Sequence, residues 1–89
     1  MKRRVYSIFD EKAEVFNNPF FMVHDGEALR AFGDLVKDPE SRIAKHPGDY
    51  KLYRIGDFDD CSGGFISDKP EFMANGSDFL NNKEGKENG

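Results

Sequence analysis

Between Asn17 and Asp38 the chain reads NNPFFMVHDGEALRAFGDLVKD, and within that stretch the apolar pattern changes its period. Phe20, Phe21, Met22 and Val23 form a short continuous run, as an extended segment does. From Asp25 onward, Ala28, Leu29, Phe32, Leu35 and Val36 recur at helical spacing and share one stripe. Asp25 can accept hydrogen bonds from the free N–H groups of a first turn, and Glu27 adds charge that the helix dipole favours there. Pro39 drives Asp38 out of the helical region. The spacing therefore predicts a helix over 25–38 entered from an extended segment. A helix with one apolar stripe must rest on an apolar surface, so the rest of the chain has to supply one.

The remaining segments read as strands. Arg3 to Phe9 is β-branched and aromatic, with Tyr6 and Ile8 on one side and Val5, Ser7 and Phe9 on the other. Glu14 to Phe16 is a short second strand before the turn at Asn17, Asn18 and Pro19. Phe20 to Val23 is a third strand or a lead-in to the helix. Tyr50 to Phe58 alternates Tyr53 and Ile55 against Tyr50, Leu52 and Phe58. Gly63 and Gly64 supply positive φ for a hairpin turn, and Phe65 to Ser67 returns as its partner. Residues 39–49 read as a loop, residues 68–77 as mixed, and Asp78 to Leu80 as a helical turn or edge strand. The expected fold is α+β: an antiparallel sheet of three to five strands with one principal helix on one face. The domain is expected over 1–80. Residues 81–89, NNKEGKENG, hold no apolar side chain and are expected to form a disordered tail.

With 89 residues the core is thin, and self-association would help stability. Nine Phe and three Tyr supply much of it. One cysteine, Cys61, rules out an intramolecular disulfide. No run approaches the roughly 20 apolar residues of a membrane span, and the chain is expected to be soluble and unexported. The net charge of −4 argues against a non-specific nucleic-acid coat. Charge is unevenly spread, since residues 57–78 hold Lys69 against six carboxylates, while 1–12 and 37–54 each have a basic excess.

No complete catalytic or metal motif is present. Asp57, Asp59, Asp60 and Asp68 imitate a calcium loop, but Ser62 stands where that loop needs glycine and a strand leads in. His24, His46 and Cys61 lack the close ligand pairs of a zinc site, and Cys61 has no nucleophile signature. No cofactor, metal site or enzymatic activity is expected. The more informative pattern is aromatic residues interleaved with cations: Arg3, Arg4 and Tyr6 on one strand, and Lys51, Tyr53 and Arg54 on another. Such sheets can stack single-stranded bases while cations follow the phosphates. Equally, the tyrosines can belong to the core and the cations to solvent.

Two blocks, Pro19 to Pro39 and Lys45 to Phe65, together with the opening VYSIFDEKA, carry a resemblance. Asp25, Gly26, Glu27 and Ala28 combine with Arg30, Ala31 and Phe32, and His46 and Pro47 with Asp49, Tyr50, Arg54, Ile55 and Gly56. Across residues 4 to about 80 the chain resembles the small nonstructural protein of gokushovirus-type microviruses, which are small single-stranded DNA bacteriophages. The resemblance implies an early protein of the host cytoplasm, absent from the virion and used in viral DNA replication at the switch to single-strand synthesis. It brings no catalytic residues. The expected partners are single-stranded DNA or phage and host replication proteins, with Arg3, Arg4, Tyr6, Lys51, Tyr53 and Arg54 as the contact set. The alternative is a protein-interaction module, a homodimeric adaptor that recruits host or phage factors through the acidic hairpin and never touches DNA. Both readings require the sheet side opposite the helix to be open.

Overall fold

The helix stands where its periodicity placed it, as α1 over Asp25–Lys37. The computed structural model describes residues 1–80, so the expectation of a disordered tail lies outside the described residues. His24, extended at φ −124° and ψ 145°, is the N-cap in place of Asp25, and its backbone N–H donates to Glu27 Oε1 at 3.3 Å. That leaves the Asp25 carboxylate free for tertiary partners. Asp38 is extended at the other end, as Pro39 demands.

Five strands precede and follow it: β1 (Lys2–Asp10), β2 (Val15–Phe16), β3 (Phe20–Met22), β4 (Tyr50–Asp59) and β5 (Gly64–Asn75). They form one antiparallel sheet in the order β2-β1-β4-β5, with β3 pairing the same edge of β1 as β2. The fold is thus α+β, as the patterning required. At the β4–β5 turn only Gly63 takes positive φ, at 77°; Gly64 does not need it.

The core lies between α1 and one sheet face. Ala28, Phe32 and Val36 of the helix meet Tyr6 and Ile8 of β1, Tyr50 and Leu52 of β4 and Ala74 of β5, with Phe20, Met22 and Leu29 at its margin. Removing each large side chain from water stabilises the fold by about 1.5–3 kcal/mol. The stripe is turned from the expected one: Leu35 is exposed and Gly33 is buried. The cause is the 3₁₀ turn Gly76–Phe79, whose Phe79 ring lies against Gly33 and edge-on to Phe32 at 5.6 Å.

Two segments depart from the expected reading. Residues 39–49 contain a one-turn helix, α2 (Arg42–Lys45), and a 3₁₀ turn at Pro47–Asp49. Ser41 Oγ caps α2 by accepting from the Ile43 N–H at 3.0 Å, and Ile43 enters the core. Secondly, β5 continues through Asp68, Lys69, Pro70 and Glu71, which had read as mixed. It is the edge strand, and the register leaves Asp68, Lys69 and Pro70 in an irregularity opposite Ile55 without ladder partners, so Pro70 is tolerated.

Candidate interaction surface

Side chains along β1 alternate cleanly. Tyr6 and Ile8 point to the helix, so Val5, Ser7 and Phe9 point away. On β4 the alternation is interrupted, because Val5 pairs with Gly56 while Tyr6 pairs with Arg54, leaving Ile55 as an extra residue. This bulge changes the phase of everything beyond it. Phe58, expected beside Tyr50 and Leu52, falls instead on the face of Tyr53.

The result is a sheet face, opposite α1, carrying seven aromatic rings in two groups. At one end Phe9, Phe16, Tyr53 and Phe72 interlock, with centroids of Tyr53 at 5.6 Å from Phe16 and 5.8 Å from Phe72. At the other end Phe21, Phe58 and Phe65 stand 5.0–6.1 Å apart. Cross-strand pairing explains both groups: Phe9 opposes Phe16, Tyr53 opposes Phe72 and Phe58 opposes Phe65. Between them the face is built of Val5, Ser7, Gly56 and Ser67, all smaller. No described element packs over these rings, and Phe16, Phe21, Phe65 and Phe72 are 44, 39, 62 and 53% exposed.

The residues expected to form one contact set divide between the two faces. Arg3, Lys51 and Tyr53 lie on the aromatic face, and Arg4, Tyr6 and Arg54 on the helix side. Tyr6 is fully buried, stacked on Phe20 at 5.6 Å, so it is a core residue and offers no platform for a base. Its hydroxyl donates to Asp25 Oδ1 at 2.6 Å, and Arg4 Nη1 meets the same oxygen at 2.9 Å. The other cations are engaged as well. Arg3 pairs with Asp60 at 3.2 Å, Lys51 with Glu11 at 2.6 Å, and Arg54 with Glu71 at 3.2 Å and Asp57 at 3.6 Å.

The Tyr6 hydroxyl, followed by Arg4, holds the Asp25 carboxyl below its usual range, while burial and the Asp25 charge push the Tyr6 hydroxyl up. A carboxylate whose folded pKa is depressed adds stability above its unfolded pKa of about 3.9 and loses it as pH falls through the folded value. Tyr6→Phe is therefore expected to cost about 1–2 kcal/mol at pH 7. The gap from wild type should narrow below about pH 4, as Asp25 protonates in both proteins. Urea midpoints at pH 7 and at acid pH check this; a gap that does not change with pH would remove Asp25 from the account.

Asp59, Asp60 and Cys61 bring ligand-type atoms within 4.8 Å of one another in the hairpin turn. The turn itself accounts for them. Asp59 accepts the Cys61 N–H at 2.9 Å, and Asp60 accepts from the Met1 amino group at 2.9 Å and from Arg3. Asp57 is drawn away to Arg54. His46 lies with Lys12, Arg42, Asp10, Asp49 and Tyr50 in an open cleft at the far end of β1. Cys61 adjoins the start of that strand, so roughly 25 Å separates the two. A Cys61–His46 nucleophile pair is not assembled.

Six rings of the aromatic face, Phe9, Phe16, Phe21, Phe58, Phe65 and Phe72, were outside the expected contact set. Strict alternation would have found Phe9; Phe16 and Phe21 depend on the pairing of β2 and β3 with β1, Phe58 and its partner Phe65 on the bulge, and Phe72 on the full length of β5.

A family model described as Phage ORF5 protein matches residues 3–79. The chain belongs to the phage ORF5 protein family. The match spans both aromatic groups, the helix and the 3₁₀ turn that closes the core, so it covers nearly all of the described fold of this ORF5 chain. No curated protein and no solved structure matches it. No helix among the described residues of the ORF5 chain is long and apolar enough to cross a membrane.

Proposed function

We propose that this phage accessory protein is non-enzymatic and serves viral DNA replication in the host cytoplasm, at the switch to single-strand synthesis, as in the microviruses it resembles. Its working surface is the aromatic sheet face, and its partner there is protein. The observation that carries this is a face of seven rings on which, among the described residues, the cations Arg3 and Lys51 are already matched by Asp60 and Glu11. Protein interfaces concentrate aromatics and exclude charge at their centre. A strand-binding groove instead needs free cations along the phosphates, and this chain is acidic overall.

Direct binding of single-stranded DNA is the second reading, favoured by exposed rings on an open sheet. Fluorescence anisotropy with a labelled oligonucleotide separates the two. Under the first reading no binding develops at low salt. Affinity that falls steeply between about 50 and 200 mM salt would establish phosphate contacts and displace it. In phage carrying Phe65→Ser with Phe72→Ser, duplex replicative DNA is expected to form while single-stranded DNA fails to accumulate. Normal single-strand yield with this variant would remove the face from the function.

A further inference from the structure

We propose that the occupant of the aromatic face is a second copy of the same chain, joined about a two-fold axis over the middle of the sheet. The inference rests on the reading of this face as an association surface and names its partner.

Area is the first argument. The exposed parts of Phe16, Phe21, Phe65 and Phe72 add up to about two whole phenylalanine side chains, roughly 400 Å² of apolar surface. A stable interface covers about 800 Å² per partner, of which a little over half is apolar. Four rings therefore supply most of the apolar requirement, and the half-buried Phe9, Tyr53 and Phe58 adjoin them. That area is within the roughly 300–600 Å² of the largest apolar patch on a typical monomer, a patch that is often functional.

The arrangement of the face is the second. Rings stand toward both ends of the strands, and the smaller Val5, Ser7, Gly56 and Ser67 lie between them, Val5 and Ser7 buried beneath their neighbours and Ser67 exposed. A two-fold axis through that middle sets the Phe9, Phe16, Tyr53 and Phe72 group of one copy against the Phe21, Phe58 and Phe65 group of the other. Each group then meets its complement twice, as an isologous interface requires. Charge gives the third argument. The rim holds Arg3 with Asp60 at one end and Lys51 with Glu11 at the other, so like charges are not forced together.

Sedimentation velocity on the full chain tests this. At about 50 µM, a concentration that such an interface should saturate, the protein is expected to sediment at twice its 10.1 kDa chain mass. Phe65→Ser with Phe72→Ser is expected to return it to monomer with an unchanged circular dichroism spectrum, because both rings are exposed. Leu35→Ser, at an exposed apolar residue on the helix, is expected to leave the dimer intact. Wild type that stays monomeric overturns the proposal, and so does a doubly substituted protein that remains folded and dimeric. If wild type is monomeric but the same double substitution still blocks single-strand accumulation in phage, the association surface stands and only its occupant was wrong.

Discussion

Phe32→Ala is expected to lower the unfolding free energy by about 3–5 kcal/mol, the range for emptying a buried aromatic site. Phe32 has no exposed surface, and it is the residue through which α1 touches both the sheet core and the closing 3₁₀ turn. The site has little means of collapsing. Gly33 beside it brings no side chain to fill the space, and Phe79 would lose the ring it meets edge-on. Domains of this size have only about 5–10 kcal/mol in total, so the variant should be near its unfolding midpoint without denaturant at elevated temperature. Urea denaturation followed by circular dichroism measures it. A loss under about 1 kcal/mol would mean that α1 is not held by this core.

Gly76→Ala is expected to cost about 2–3 kcal/mol although it adds a single methyl group. A Cβ at Gly76 would collide with the carbonyl oxygen of Pro47, and its carbonyl carbon and Cα lie 3.0 and 3.2 Å away. These are backbone atoms that no rotamer change can move. Their displacement would separate the two 3₁₀ turns that close the end of the core. Gly48→Ala is the control, because nothing lies within 4 Å of a Cβ there, and its effect is expected to stay within about 0.5 kcal/mol. Thermal melts of the pair decide the matter: equal midpoints would show that the contact between the turns is dispensable.

Much of the fold was legible from local chemistry. The strand-to-helix switch around His24 follows from apolar period and cap chemistry, both of which act over a few residues. Strand β1 and the start of β4 were clear for the same reason. Residues 42–45 were not, since a single helical turn is too short to show a period and is held by Ser41 and by the burial of Ile43. Nor was the second half of β5, whose composition of Asp68, Lys69, Pro70 and Glu71 signals a break. Only its position at a sheet edge makes it a strand.

The candidate surface was less legible than the fold. Interleaved tyrosines and cations directed attention to Tyr6 and Arg54, yet Tyr6 is drawn inside by Phe20 and Asp25, and Arg54 is turned to the helix side by its register with Tyr6. Which cations are neutralised depends on partners far along the chain, such as Asp60 for Arg3 and Glu11 for Lys51.

The sequence by itself determined the α+β class and the position of the helix, because periodicity and capping are properties of neighbouring residues; that one sheet side is open was a requirement of the functional readings and not a result of the pattern. Tertiary structure alone decided which rings share that side. One extra residue at Ile55 reverses the alternation, and cross-strand register, not spacing along the chain, gathers Phe16, Phe21, Phe58, Phe65 and Phe72 onto the face of Tyr53.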